Sequence, residues 1–543
     1  MGDKEFTLPK AAIVIFFYFL LLALCAPIKI PFYIYDEGFA VFNATRLLNG
    51  EIPYKDFWAI YPPGQLYTLA GIYKIFGISL LVSRVYDTLV RFTIVIGVYR
   101  ATRKIVSLPL ALTASLMAAL LLVSVGFYDY AVYPALAFGV WALWSALQFH
   151  GSGQRRWLIL AGVLAGAGGL FRWDIGLYTC IGLSAAIFID QFFRSNPGRS
   201  TWRPGAVNGI KEAALTLAGC VGVMLLLYGL VGLNSGPGAL WEQVVKFPAT
   251  RLHAVRWLAY PPLRSPGLLD FSAYREFYSR QNDWLRFYLP LAIYVVAWLY
   301  SAYALILKRL PLDAALFGIL AAALVGPLLF AQALSRYDYI HVLPSSLCAA
   351  LVVAGLAFRA MQRKANLALQ ISLAVLLPGI FITYFLSIYS VFSRNLVNFS
   401  PSGCYSRLER ASCVFMGENQ QHAVVYVQTH TQPGEAIYVG NQRHDYIFVS
   451  DVGFYFLAER RSATRYSELH PGVVDTLPVQ EEIAGELESG KVALLVLVDI
   501  GRSNEPNQSS ISSGVTFLDN YIRANYRRAA TFGEYQVWER MFK

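Results

Sequence analysis

Over most of this chain apolar residues do not alternate with polar ones; they run together. Stretches with almost no charge recur near 11–29, 79–99, 107–125, 131–149, 157–171, 175–193, 211–233, 284–307, 311–333, 341–358 and 366–391. A bilayer core about 30 Å thick needs roughly 20 apolar residues in helical form. These runs therefore predict about eleven transmembrane helices. The pattern changes near residue 396. Beyond it lie a predicted strand over 435–440, a helix over 479–489, a buried strand over 491–500, a helix over 513–526 and a final strand over 534–539. The expected fold is mainly α: a polytopic membrane helix bundle over 1–395, followed over 396–543 by a small α/β domain.

The gaps between the apolar runs fall into two alternating kinds. One kind is short and basic, carrying Arg100, Arg103 and Lys104, then Arg155 and Arg156, then Arg194, Arg199 and Arg203, then Lys308 and Arg309, then Arg359, Arg363 and Lys364. The positive-inside rule places this set in the cytoplasm. With the N-terminus cytoplasmic, the 396–543 domain is expected on the outer side of a cell (inner) membrane crossed many times. The first run is read as a retained span, because no small-x-small cleavage site follows it and Leu24, not a small residue, precedes Cys25.

Composition sharpens this picture. Hydrophobic residues make up 56% and charged residues 15% of the 543, against roughly 25% charged in a soluble domain. The net charge of +11 is spread over short loops and not gathered on one face, which excludes a nucleic-acid surface. Cys25, Cys180, Cys220 and Cys348 lie in apolar runs and serve as small hydrophobes. Cys404 and Cys413 share a polar outer segment and are expected to pair in an oxidising compartment.

The outer gaps hold the mixed clusters of acid, base and aromatic residues. They include Tyr35-Asp36-Glu37-Gly38, Tyr61-Pro62-Pro63-Gly64, Tyr128-Asp129-Tyr130, Phe171-Arg172-Trp173-Asp174 and Ser335 to His341. A site is thus expected at the outer membrane surface. In the first outer gap, 38–49 has the apolar spacing of a short amphipathic helix, with Asp36 and Glu37 at its dipole-favoured start. A second helix is expected over 64–76, after the Pro62-Pro63 break. Within the second span Arg84, Asp87 and Arg91 share one helical face. They form either a self-neutralised triad or, at Arg84, a phosphate contact. Arg172 and Asp174 flank Trp173 either as interface anchors or as substrate contacts. The segment 241–264 interleaves Lys246, Arg251, His253, Arg256 and Arg264 with Trp241, Trp257 and Tyr260. It either holds lipid phosphates or lies on headgroups.

One ordered set of residues resembles a known family. Asp36-Glu37 after the first span, Leu47-Leu48-x-Gly50-x-x-Pro53-Tyr54-x-Asp56-Phe57, Tyr61-Pro62-Pro63-Gly64, Phe76-Gly77 and Arg84, with Arg336-Tyr337, His341 and Pro344 later, resemble the membrane glycosyltransferases of the C superfamily. Protein O-mannosyltransferases and lipid A aminoarabinose transferases look nearest. The resemblance covers about residues 1–360 and implies transfer of a sugar from a polyprenyl-phosphate donor to an acceptor hydroxyl of a lipid, glycan or protein, generally with inversion. It implies that Asp36, with Glu37, supplies the catalytic carboxylate. Arg84, Arg336 and His341 become donor-phosphate contacts, joined by Lys246 and Arg251. Asp56, Tyr61, Arg172 and Asp174 become candidate substrate contacts. No cofactor is expected and no metal site stands out, with divalent metal left open; membrane lipids are the other expected partners. A transporter or lipid flippase, or an O-antigen-type ligase or polymerase, are the alternatives. The first usually shows an internal repeat and broken helices at the midplane, and neither is visible here.

The topology is testable by single-cysteine labelling with a membrane-impermeant reagent in a cysteine-free background. Asp36→Cys and Lys246→Cys are expected to label from outside, whereas outside labelling of Arg199→Cys would overturn the orientation.

Overall fold

The computed structural model describes residues 9–194, 203–262, 274–308, 310–362, 371–372, 380, 406, 408–447 and 449–541, with backbone only over 274–282. Among them seven helices are long and apolar enough to cross a membrane, and Leu108–Val123 and Arg156–Gly169 are shorter apolar helices. The expected spans from the first through the tenth each coincide with a helix: α1 (Lys10–Cys25), α4 (Leu80–Thr102), α5 (Leu108–Val123), α6 (Val132–Ser152), α7 (Arg156–Gly169), α8 (Trp173–Arg194), α9 (Arg203–Ser235), α10 (Tyr274–Ala302), α11 (Ala314–Leu329) and α12 (Tyr339–Met361). The expected eleventh, 366–391, lies almost wholly outside the described residues. Helices α9 and α10 begin well before their apolar runs, because a helix propagates through polar residues once its apolar turns are packed. The expected span 311–333 is shorter as α11 and gives way to a separate turn, Ala331–Ser335.

Small residues let α7, α8 and α9 approach closely, as lipid-embedded helices do when packing replaces the hydrophobic drive. A Cβ on Gly162 would lie 2.1 Å from the Thr216 carbonyl oxygen, and one on Gly166 would lie 2.6 Å from that of Cys220. On the charged face of α4, Asp87 and Arg91 neutralise each other. Arg91 Nε donates to Asp87 at 2.6 Å, and its Nη atoms reach the carbonyls of Leu122 and Phe127.

The first outer gap forms α2 (Asp36–Leu48) and α3 (Gly64–Phe76), within two residues of expectation. The C-terminal domain has a mixed five-stranded sheet in the order β2-β1-β3-β5-β4, where β1 is Ala436–Asn441, β2 Arg461–Ser462, β3 Leu494–Val498, β4 Tyr526–Phe532 and β5 Tyr535–Arg540. β1 is parallel to β2 and β3, and β5 is antiparallel to β3 and β4. The period-2 rule sorts β3 cleanly. Leu494, Val496 and Val498 face a core shared with helices α13 (Glu418–His430) and α14 (Gly453–Ala458), and Leu495 and Leu497 face α15 (Leu477–Ser489) and α16 (Phe517–Asn525). β2, β4, α13 and α14 were not expected. β4 is mostly exposed on an edge, and β2 is only two residues long, so neither carries an apolar pattern.

The two parts share cores. Phe32, Val41, Phe42, Leu69 and Tyr73 of the first outer gap pack with Val424, Ile437, Tyr455 and Val496, and the Phe42 and Tyr455 rings stack at 4.8 Å. Main-chain bonds cross the seam, from Gly453 N–H to Ile34 at 3.0 Å and from Trp58 N–H to Arg465 at 3.0 Å. At the closest approach a Cβ on Gly38 would lie 2.5 Å from the Gly453 nitrogen. Cys413 is disulfide-bonded, while Cys25, Cys180, Cys220 and Cys348 are free; Cys404 lies outside the described residues.

Gly38→Ala is therefore expected to weaken docking of the C-terminal domain by about 1–3 kcal/mol, the usual cost of overpacking. Limited proteolysis checks it: the variant releases the C-terminal domain faster than the parent at equal protease.

Candidate active site

Asp36 and Glu37 are consecutive at the start of α2, so their side chains leave the helix about 100° apart. Their surroundings differ accordingly. Glu37 is fully buried and receives Arg84 through Nε at 2.6 Å and Nη2 at 2.9 Å. The remaining Arg84 donor capacity goes to the carbonyls of Ile28 and Ile30, both at 2.8 Å, and the guanidinium lies over the Tyr128 ring. Glu37 also accepts the Tyr33 N–H at 3.1 Å. Thus Glu37 and Arg84 pin the entrance of α2 from behind, and neither lines the cavity that Asp36 faces.

Asp36 faces the opposite way, into a cavity of about 640 Å³ between the membrane bundle, the helical segment 237–256 and the C-terminal domain. The Tyr61 hydroxyl donates to Asp36 Oδ1 at 3.3 Å. Tyr61 is placed by a chain of local bonds, since its carbonyl accepts the Tyr54 hydroxyl at 2.8 Å. Gln243 ties the segment 237–256 to the same loop, accepting from Ala59 N–H and donating to the Tyr54 carbonyl. Burial pushes the Asp36 carboxyl up to about 6; the nearby Glu468 carboxylate adds to the rise, and the Tyr61 hydroxyl, His470 and Arg256 oppose it.

The far wall of the cavity carries basic side chains paired with carboxylates. Arg172 forks onto Asp174 at 3.1 and 2.8 Å, and Gln332 donates to the same carboxylate at 2.8 Å. Arg336 donates to the Arg256 carbonyl at 2.9 Å and forks onto Glu505 of the C-terminal domain, with one arm at 2.9 Å. Asp338 caps α12 by accepting the His341 N–H at 3.0 Å, and it holds the His341 ring at 2.6 Å. Burial would raise the Asp338 carboxyl, but His341 and Arg336 hold it below the usual carboxylate range. Burial lowers the Arg256 guanidinium, and Arg336 beside it lowers it further.

Of the residues singled out in the sequence, Asp36, Tyr61, Arg172, Asp174, Arg336 and His341 come together around this one cavity. Lys246 and Arg251 do not line it; Lys246 pairs with Glu242 at 2.8 Å on an exposed face. Asp56 is exposed and accepts the Ile52 N–H within its own turn. Sequence reasoning missed Gln332, Glu468, His470 and Glu505. Three of these lie in loops of the C-terminal domain whose polar composition is that of any solvated loop, so only tertiary burial marks them. Among the described residues no group of three or more His, Cys, Asp or Glu is arranged to hold a metal ion.

Residues 61–203 match the family model described as dolichyl-phosphate-mannose-protein mannosyltransferase. No curated protein matches the sequence. Among solved structures, the oligosaccharyltransferase AglB of Archaeoglobus fulgidus, in complex with an inhibitory peptide and a dolichol-phosphate, aligns with a TM-score of 0.50 at 13% identity over 90% of this chain and 69% of that one. ArnT from Cupriavidus metallidurans in the apo state aligns with a TM-score of 0.50 at 14% identity over 97% of this chain and 98% of that one. The chain has the GT-C fold. The family match begins at Tyr61, the residue that bonds Asp36.

The split between Asp36 and Glu37 gives opposite expectations for two conservative variants. Glu37→Gln leaves Arg84 buried without its counter-charge and is expected to lower stability by about 3 kcal/mol or more. Asp36→Asn is expected to leave the melting temperature within a few degrees of the parent. Thermal unfolding of the two purified variants in the same detergent checks both.

Proposed function

We propose that the chain is a membrane glycosyltransferase that moves a sugar from a polyprenyl-phosphate carrier to a hydroxyl of a lipid, glycan or protein acceptor at the outer membrane face. The observation that carries this reading is the cavity itself, with the Asp36 carboxylate, bonded by the Tyr61 hydroxyl, on one wall and Arg172, Arg256, Arg336 and His341, with Asp174 and Asp338 among them, on the others. The description of the matched family and the dolichol-phosphate held by AglB support the same donor class.

The chemistry follows from the geometry. A hydroxyl becomes a competent nucleophile when its proton is removed in the transition state, and a positioned carboxylate supplies roughly 10²–10⁴-fold in rate. Asp36 accepts that proton; the acceptor oxygen bonds to the anomeric carbon; the carbon–oxygen bond to the carrier breaks, and its electron pair leaves on the phosphate. The charge growing on that phosphate is met by guanidinium donors. Arg336 is the best placed. Its fork already holds a carboxylate, Glu505, in the two-pronged manner that phosphate oxygens also offer. The donor phosphate takes that fork in exchange for Glu505.

The test supplies purified protein with undecaprenyl-phosphate sugars and a lysate of candidate acceptors and follows label into product. Asp36→Asn is expected to lower turnover by about 10² or more with donor binding nearly unchanged. Because the base must be ionised, kcat/KM is expected to rise with pH through about 6 and to flatten above it. Arg336→Ala is expected to weaken binding of undecaprenyl phosphate and slow transfer, while Glu505→Gln tightens that binding. Transfer by Asp36→Asn at the parental rate would remove Asp36 from the mechanism.

A further inference from the structure

The loop 467–470 of the C-terminal domain is fastened to both ends of α2. At the far end Arg46 Nη1 donates to Ser467 Oγ at 3.0 Å. At the near end the Tyr35 hydroxyl, one residue before Asp36, lies 2.6 Å from His470 Nε2 and 3.2 Å from Glu468 Oε1. His470 Nε2 and Glu468 Oε1 are themselves 2.7 Å apart, closing a three-membered polar cluster. Leu469 between them is fully buried, and its N–H donates to Ser450 Oγ at 3.1 Å. Trp58 and Phe247 pack around the His470 ring at 5.5 and 6.2 Å.

Glu468 is 0% exposed and His470 5%. A buried carboxylate–imidazole pair adds little net stability, because desolvation offsets its attraction. This pair also keeps unused capacity: Glu468 Oε2 and His470 Nδ1 have no hydrogen-bond partner. An apolar pair would close the same seam at lower cost. The pair instead stands beside Asp36, whose carboxylate faces the cavity.

We propose that Glu468 and His470 are positioning residues for Asp36, through which the docked C-terminal domain orients the start of α2 and sets the charge around its carboxylate. The role given to Asp36 rests on the transferase reading; the placement of the pair does not. The groups facing Asp36 are Tyr33 and Tyr35 on its own segment, Tyr61 from the first outer loop, Arg256 and His253 from 237–256, Arg172, Asp174, Tyr130, Arg336, Asp338 and His341 from the bundle, and Glu468 and His470. The last two come from the C-terminal domain, and the charge of each acts on Asp36. They act in opposite directions, Glu468 disfavouring and His470 favouring its ionised form.

That opposition is the test, and it needs no substrate. Infrared titration of the full-length protein in detergent follows the protonated-carboxyl stretch, and the band lost in Asp36→Asn assigns the Asp36 midpoint. Glu468→Gln is expected to move that midpoint down by roughly one pH unit and His470→Gln to move it up by a similar amount. Tyr35→Phe, which keeps the ring and removes only the hydroxyl, is expected to broaden or shift it. A midpoint that stays put in Glu468→Gln and His470→Gln, or moves the same way in both, overturns the proposal. If Glu468→Gln does not fold, His470→Gln and Tyr35→Phe decide alone, an unmoved midpoint in both being the overturning result. Parental transfer rates in Asp36→Asn would sink the base assignment and leave the titration result standing. An unmoved midpoint in an active enzyme does the reverse.

Discussion

A single buried ion pair fixes the geometry on which the rest depends. Glu37 and Arg84 meet at 2.6 Å with no solvent access on either side, and two peptide carbonyls complete the guanidinium's shell. The pair joins the start of α2 to the outer end of α4. Because each residue step along a helix turns the side chain by about 100°, locking Glu37 inward directs Asp36 to another face. The direction of the cavity-facing carboxylate is thus set by the structural direction of the next.

A second constraint is applied from the other side. The C-terminal sheet presents one face to α2 and α3, and the close pass of Gly38 over Gly453 leaves no room for a side chain. α2 is consequently held between a membrane helix and a water-side domain. Its freedom is removed by packing on one flank and by hydrogen bonds on the other, which is how a site on a short surface helix gains the rigidity usually reserved for longer elements.

Much of this was visible in the residues. Runs of apolar side chains located the spans because lipid tolerates no unsatisfied backbone, and the Tyr61-Pro62-Pro63-Gly64 break located the start of α3. The ordered block from Asp36 to Arg84 marked the segment whose Asp36 and Tyr61 line the cavity. It did not separate Asp36 from Glu37, since adjacent carboxylates look alike until the partner at Arg84 is known. Arg84 itself fits a phosphate contact by residue type, and only the Glu37 carboxylate and the carbonyls of Ile28 and Ile30 show its donors engaged. Glu468, His470 and Glu505 left no trace in local pattern. They come from loops, and their meaning is entirely a matter of what lies across the seam.

That seam has a consequence for how the molecule comes into being. Asp36 is made long before His470, yet the two line one cavity. While the chain is being synthesised, α2 waits with an unfilled flank and its neighbouring carboxylate open to water. The cavity acquires its third wall only when the C-terminal domain has folded against the bundle. Until the two parts dock, the carboxylate lacks its enclosure, so the pocket exists only as a product of their joint folding.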